Sequence, residues 1–207
     1  MINSEFSLIF NSFGEIETKI IIATEDATVS ANEPNNNFGD ENQLQVGIEF
    51  DVLEAFIKFD FSNAPKKIEE AFLELEVNRF ATYNSLEIYE TPTNWSEYTI
   101  TWNTAPEPGI RVAYAFIGGL RIYSFDITKA LLGDQDSFSF CLTYPYQWIG
   151  IASRECSSEY SPPQIIFFFA VDAFPTIFTS IFVGIITASI LGLILHKIYY
   201  KKEKSTT

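Results

Sequence analysis

The chain is poor in histidine, cysteine and basic residues. Its 207 residues include a single His, at position 196, and two Cys. Because His is the usual general base and a common metal ligand near neutral pH, its scarcity argues against triad and zinc chemistry. The 13 Lys and Arg face 27 Asp and Glu, a net charge of −14. A nucleic-acid-binding surface needs positive charge to replace the counterions of the phosphates, so the composition excludes that class.

Apolar and aromatic residues are abundant by contrast. Hydrophobic residues make up 47% of the chain and aromatic residues 16%, with Phe alone at 20. A chain with this much apolar surface can form a packed core, which excludes a disordered protein. Aromatic enrichment also favours β-sheet over helix.

A charge-free apolar run stands near the end of the chain, at residues 177–195. As an α-helix it would be about 28 Å long, close to the thickness of the hydrocarbon core of a bilayer. Lysines follow at positions 197, 201, 202 and 204, and such a cluster marks the cytoplasmic side. The sequence therefore predicts a single-pass protein of the cell membrane, with its N-terminal domain outside and its C-terminus in the cytoplasm. A tail-anchored domain facing the cytoplasm is the alternative.

This partition predicts four segments. Residues 1–15 are a poor signal-peptide candidate because they lack a basic start and contain Glu5. Residues 16–171 form the folded domain, 172–196 the membrane helix and 197–207 a basic tail. The domain reaches the outside either through a leader encoded upstream or through insertion driven by the helix. Nine basic residues face 26 acidic ones before Phe174, so the outer part is strongly negative.

Short alternating apolar stretches fill the predicted domain. In EAFIKFDF, Ala55, Ile57 and Phe59 fall on one face, since successive side chains of a strand point to opposite sides. AFLELEV (71–77) and FSFCLT (138–143) alternate in the same way. Other strands are expected at 19–22, 44–47, 86–89, 111–116, 123–125, 149–153 and 164–169, with one helical turn at 127–132. Many short strands separated by Gly, Pro and Asn turns predict an all-β antiparallel sandwich.

Five motifs follow one another along this domain. They are Asp26–Ala27 with Pro34–Asn35 and Asn37–Phe38–Gly39; the strand 44–47; IKFDFS at 57–62; ITWNTAP at 100–106 with YSFDIT at 123–128; and IASRE at 151–155 before Ser161–Pro162–Pro163. Their order and spacing resemble those of the DNRLRE-type carbohydrate-binding modules. The resemblance implies a jelly-roll β-sandwich at the cell surface that binds a polysaccharide or surface glycan.

The sequence thus predicts a membrane-anchored, surface-displayed module that recognises polysaccharide without catalytic activity. The single His lies beyond the domain, and no carboxylate pair stands out for glycoside hydrolysis. The alternative is a structural or adhesive surface protein that contacts other proteins of the envelope. The short connection between the last strand and the apolar run, residues 170–174, favours that alternative, because the domain would sit close to the lipid.

Two groups of residues are candidates for ligand binding. Tyr144, Tyr146 and Trp148 occur in the loop TYPYQW, and aromatic rings in such a loop suit stacking on a sugar face. The amides of Asn35 and Asn37 are the second group. The alternatives are that the rings rest on lipid or on the end of the sandwich, and that the amides stabilise their own turn.

Structural roles are expected for further residues. Arg154 and Glu155 are expected to form an ion pair in the last hairpin, and Trp102 is expected in the core. Asp26, Asp60 and Asp126 recur at strand ends and are the candidate ligands of a structural Ca²⁺, which takes hard oxygen donors. The two cysteines, at 141 and 156, are either a disulfide or two free thiols.

Overall fold

The computed structural model describes residues 15–79, 82–131, 133 and 135–171. The chain divides into two compact units, one of Glu17–Phe169 and one of residues 1–16 with 170–207. The predicted membrane helix and basic tail lie outside the described residues, as does the N-terminal segment up to residue 14. Within the described residues, no helix has the length and apolar character needed to cross a bilayer.

The described residues form eleven strands and one 3₁₀ helix. The strands are β1 (Glu15–Ile22), β2 (Glu25–Ser30), β3 (Gln43–Val46), β4 (Leu53–Asp60), β5 (Glu70–Arg79), β6 (Asn84–Thr91), β7 (Arg111–Ile117), β8 (Arg121–Asp126), β9 (Ser137–Thr143), β10 (Ile149–Ala152) and β11 (Gln164–Val171), and the helix is Thr128–Leu131. In sheet A, β5 pairs with β8 along one side. Along its other side, β5 pairs with β11 and β10. β1 then pairs with β11, and β3 pairs with β10. Sheet B has the order β2-β4-β9-β6-β7.

The predicted all-β antiparallel sandwich is confirmed. Ala55, Ile57 and Phe59 are fully buried in the core between the sheets, as their alternation indicates. Leu73 and Leu75 of β5 face them from sheet A in the same cluster. The expected helical turn at 127–132 is the single 3₁₀ turn. β2 is not among the strands that the alternation predicts, because its residues that pair with the inward side chains of β4, Asp26 and Thr28, are polar.

The outer face of sheet B is partly covered by the chain itself. Phe56 of β4 and Cys141 of β9 are fully buried there, although the alternation predicts a solvated face. The β6–β7 connection crosses this face, and its Trp95 meets the Phe56 ring edge-on with centroids 6.0 Å apart. Lys58, on the same face, lies 4.5 Å above the Trp95 ring and pairs with Glu25 at 2.7 Å. We call residues 92–105 the cover segment.

Four connections meet at one end of the sandwich, where β9 finishes at Thr143. They are residues 47–52, 82–83, 118–120 and 144–148, and we call them the loop end. The register places them together, because Ile149 pairs with Val46 and Asn84 pairs with Ile117. The opposite end carries residues 61–69 and the 3₁₀ helix. Within the Glu17–Phe169 unit, β11 also finishes there, since Phe168 pairs with Glu70 at the start of β5.

Candidate functional site

A groove of about 240 Å³ opens beside the loop end, on the part of sheet B that the cover segment leaves bare. Its lining is Ile48, Val52, Leu53, Glu54, Glu87, Thr143, Tyr144 and Pro145. The floor is polar because Glu54 of β4, Thr143 of β9 and Glu87 of β6 follow each other on neighbouring strands. Glu87 pairs with Thr143, and the next pair along β4 and β9 is Ala55 with Leu142, which aligns Glu54 with Thr143.

An aromatic wall borders this floor on the β6–β7 ribbon. Tyr114 pairs with Glu87 across the two strands, and 57% of its surface is exposed. The Arg111 guanidinium lies 5.0 Å from the centre of the Tyr114 ring. Beyond Tyr114, the rings of Tyr83 and Phe116 stack almost parallel, with centroids 5.3 Å apart, and both are exposed. Three rings are therefore available to a ligand along the ribbon.

The loops on the other side are held to each other by the backbone. Ile48 N donates to Tyr146 O at 2.8 Å, and Gln147 Nε2 donates to Glu49 Oε1 at 3.2 Å. Gly47 takes a φ of 155°, and a Cβ on it would lie only 2.6 Å from the backbone nitrogen of Trp148. The loops 47–52 and 144–148 therefore form one clamped unit. It carries the exposed apolar side chains Ile48, Phe50, Val52 and Tyr146.

The two carboxylates of the floor differ in their surroundings. Glu87 is fixed by an ion pair with Arg111 Nη1 at 2.8 Å and by the Tyr89 hydroxyl, which donates to it at 2.5 Å. That hydrogen bond raises the pKa of Tyr89. Glu54 has no cation beside it among the interactions of the described residues; burial, with a smaller contribution from Glu107, raises its pKa. Both side chains point hydrogen-bond acceptors at the groove.

The three predicted rings of the TYPYQW loop have different positions. Tyr144 is only 1% exposed, and its hydroxyl donates to the backbone oxygen of Thr82, so the ring packs in the core instead of facing a ligand. It continues the inward alternation of Phe138, Phe140 and Leu142 past the end of β9. Tyr146 is 51% exposed. Trp148 is half-buried, with the Arg79 guanidinium 5.3 Å from its ring centre.

The predicted amides are engaged in holding the cover segment. Asn37 Nδ2 donates to the backbone oxygens of Glu97 and Ile100, both at 2.7 Å. Asn35 is exposed, and its Oδ1 accepts from Asn103 Nδ2 at 2.9 Å. Neither residue lines the groove. Asn37 Oδ1 also accepts from Gly39 N at 3.3 Å, which is a contact within its own turn.

A buried ionic cluster joins three distant parts of the sandwich. Oxygens of Asp26, Glu97 and Glu155 lie within 4.8 Å of one another. Arg154 Nη2 donates to Glu97 Oε2 and to Glu155 Oε1, each at 2.8 Å, and its backbone N donates to Asp26 Oδ2 at 2.8 Å. Asp26 N in turn donates to Glu97 Oε1 at 3.0 Å. The cluster thus links β2, the cover segment and the turn after β10.

Electrostatics in this cluster are dominated by burial. Asp26 is 1% exposed, and burial, assisted by the charges of Glu155 and Glu97, raises its pKa to about 7. Glu97 is also buried, but the sequence does not predict this, because no alternation of apolar and polar residues around it indicates a buried position. Trp102, expected in the core, is half-buried against Trp95 and Ile100.

The structure does not bring the three candidate calcium ligands together. Asp60 and Asp126 are exposed turn caps, accepting from Ser62 N at 2.8 Å and from Thr128 N at 3.0 Å. Hydrogen bonds from the side chain and the backbone N of Thr128 lower the pKa of Asp126. Only Asp26 belongs to the converging carboxylates. Carboxylate oxygens are ligands that Ca²⁺ prefers. Two of the three carboxylates, those of Glu97 and Glu155, already pair with the Arg154 guanidinium, so the cation of this cluster is the arginine.

Cys141 and Cys156 are free thiols, which decides between the two alternatives left by the sequence. Cys141 is buried beside the groove floor, with its Sγ donating to Glu54 Oε2 at 3.8 Å. Cys156 is half-exposed, and its Sγ donates to the backbone oxygen of Tyr160 at 3.5 Å.

A larger cleft of about 650 Å³ lies at the opposite end of the sandwich. Its lining includes Lys66, Lys67, Gln135 and Asp136. Its one ring, Phe61, is engaged with Phe138 and Phe167. Because sugar binding combines ring stacking with hydrogen bonding, the smaller groove is the better candidate despite its size, since three exposed rings lie along the β6–β7 ribbon that borders it.

Comparison with known proteins matches this domain. A family model described as carbohydrate-binding module family 96 covers residues 17–167, which is well over half of the chain. None of the curated proteins matches the chain.

Proposed function

The chain belongs to carbohydrate-binding module family 96, and from this we propose that it binds polysaccharide or surface glycan through the loop end of its sandwich, without chemical action on it. The observation that carries the proposal is the groove, which is lined by the carboxylates of Glu54 and Glu87 and bordered by the exposed ring of Tyr114, the strand partner of Glu87. Sugars offer an apolar ring face and a rim of hydroxyls, and this surface presents a partner for each.

The absence of catalysis is part of the proposal. Glu87 is held by Arg111 and by Tyr89, which suits a carboxylate that accepts hydrogen bonds but not one that exchanges a proton. The DNRLRE-type assignment and its jelly-roll topology are also proposed. They are supported by the five motifs and by the two antiparallel sheets of the domain that carries them.

We further propose that residues 177–195 anchor the module in the cell membrane with the domain outside. The charge-free run and the lysines after it support this. External protease should digest the domain on intact cells; a domain that resists digestion until the cells are opened would contradict the orientation.

Affinity electrophoresis of the purified full-length chain through gels containing single polysaccharides tests the binding function. We expect at least one neutral or acidic polysaccharide to retard the folded chain but not the urea-unfolded chain. Equal mobility in all gels, together with an empty glycan array, would contradict the proposal. Crosslinking on cells that recovers a protein neighbour and no polysaccharide would instead favour a structural or adhesive role.

A further inference from the structure

The residues of the groove floor form one straight line across sheet B. Glu54, Thr143, Glu87 and Tyr114 occupy matched positions on β4, β9, β6 and β7. Neighbouring strands lie about 4.8 Å apart, so the line is about 14 Å long. We call these four residues the polar row. Its length suits several consecutive sugar units of a chain better than one monosaccharide.

Walls stand on both sides of the polar row. The next row toward the opposite end is Phe56, Cys141 and Tyr89, and the cover segment lies over it with Trp95 and Ile100. On the loop-end side, the groove is lined by Ile48, Val52 and Pro145. The row is therefore the floor of a trough that runs across the strands, with Tyr114 exposed at its β7 end.

The charge of the trough selects among glycans. Residues 17–169 contain 23 acidic and nine basic residues, and two of these carboxylates lie in the row itself. Arg111, the cation beside the row, is paired with Glu87. The other arginines of the loop end, Arg79 and Arg121, belong to strands of sheet A and lie over the rings of Trp148 and Tyr123. A polyuronate in the trough would meet uncompensated negative charge, whereas hydroxyl groups find strong acceptors.

On the basis of the proposed carbohydrate-binding function, we infer that the polar row binds a neutral, hydroxyl-rich glycan chain. In this arrangement Glu54 and Glu87 accept hydrogen bonds from sugar hydroxyls, Thr143 adds a third polar contact, and Tyr114 stacks on a ring face. The same carboxylates exclude polyuronates.

The test compares neutral polymers (soluble β-glucan, galactomannan and xyloglucan) with acidic ones (alginate and polygalacturonate), using affinity electrophoresis and calorimetry on the full-length chain. We expect at least one neutral polymer to bind and both acidic polymers to fail at physiological salt. Tyr114→Ala should weaken binding roughly tenfold, as truncation of a central aromatic contact does. Glu54→Gln, which keeps the shape but loses the charge, should weaken it by a similar factor.

Tyr160→Ala is the matched control, because its ring is exposed but lies outside the trough. It should bind like the unchanged chain, and thermal unfolding shows whether each variant is folded. Should Tyr114→Ala unfold, the isosteric Glu54→Gln still decides. Binding of an acidic polymer alone would overturn the inference while leaving the carbohydrate-binding function intact. So would neutral binding that survives both trough variants but is lost in Tyr146→Ala. Failure of every polymer would remove the proposed function itself.

Discussion

At the scale of single residues, Asp26 has the most unusual environment. It is almost fully buried next to two other carboxylates. Two favourable interactions remain: a hydrogen bond from the backbone N of Arg154 and the nearby charge of the Arg154 guanidinium. Two opposite effects meet here: burial disfavours the charged form, and the arginine favours it. Burial dominates, so the pKa of Asp26 is raised to about 7.

This pKa makes stability depend on pH in a defined direction. Since the folded-state pKa lies above the ordinary 3.8, the native state keeps the proton between about pH 4 and 7, and the contribution of Asp26 falls as the pH rises through that window. A shift of this size corresponds to roughly 4 kcal/mol. Asp26→Asn should therefore gain stability relative to the unchanged chain as the pH goes from 4.5 to 8. Urea unfolding at several pH values measures the difference.

Asp126→Asn is the control for this prediction, because Asp126 is exposed and the hydrogen bonds from Thr128 lower its pKa. Its stability relative to the unchanged chain should not rise between pH 4.5 and 8, because a carboxylate with a lowered pKa stabilises the fold more, not less, as the pH increases. A difference between Asp26→Asn and the unchanged chain that stays constant over the whole pH range would show that Asp26 titrates normally.

Arg154 should be the most important cation for stability. Removing it leaves the buried Glu97 and its neighbours without a counter-charge, and breaking such a pair costs about 3 kcal/mol. Arg154→Met should lower the free energy of unfolding by about that amount. Arg111→Met, which breaks the more exposed pair with Glu87, should cost less than about 1 kcal/mol. Equal costs for the two variants in urea unfolding would contradict the role given to the cluster.

At the scale of elements, the cover segment explains why half of a sheet face is buried. Its Trp95 donates from Nε1 to Ser139 Oγ at 2.8 Å while its ring covers Phe56. Lys58, too, donates to the backbone oxygen of Trp95. The segment thus uses hydrogen bonds as well as apolar contact to stay on the sheet.

Truncation of Trp95 should expose the apolar cluster beneath the cover segment, which includes Phe56 and Cys141. Trp95→Ala should cost about 3–5 kcal/mol, because the ring leaves a cavity and Ser139 loses its donor. Trp102→Ala, at the half-buried edge of the same cluster, should cost clearly less. Chemical unfolding of both variants measures the two values. A larger loss for Trp102→Ala would mean that the cover segment is anchored elsewhere.

Gly47 should control the position of the clamped loops. A methyl group there meets the Trp148 backbone and would occupy a φ that other residues rarely adopt, so Gly47→Ala should displace residues 144–148 and lower stability by about 1–3 kcal/mol. Gly119→Ala is the control, since its Cβ would meet nothing within 4 Å. Tyr146 fluorescence quenching and thermal unfolding would follow the change. Identical behaviour of the two variants would contradict the clamp.

At the scale of the whole molecule, the alternation of apolar residues was sufficient to predict the two-layer sheet architecture. It could predict the inner faces of strands such as β5 and β8, in which buried side chains alternate with more exposed ones over the shared core. It could not predict that Phe56 and Cys141 are buried on the outer face, because the segment that covers them has no periodic pattern of its own. The same limit applies to the site. Tyr144 and Tyr146 look equivalent in the sequence. Tyr144 is buried because the inward alternation of β9 continues one position past the end of the strand, whereas Tyr146 lies in the loop and is exposed.

The effect of calcium on the stability of the whole domain shows whether the acidic cluster holds Ca²⁺ or only the Arg154 guanidinium. With Arg154 supplying the positive charge in the acidic cluster, the melting temperature of the full-length chain should be the same in EDTA and in Ca²⁺. A rise in calcium of several degrees, beyond that produced by the same concentration of Mg²⁺, would show that the carboxylates hold a metal ion after all.

The joined loops 47–52 and 144–148 also determine where the molecule can diversify. A change of length in either one strains the other through the Ile48–Tyr146 bond, so insertions there should be poorly tolerated. The connection 118–120 is held instead to its own strand β8, where the Tyr123 hydroxyl accepts from Gly118 N and donates to Gly119 O, and a Cβ added at Gly119 would meet nothing within 4 Å. Libraries built to give the module new binding preferences should therefore randomise this turn first, leaving the paired loops as a fixed frame.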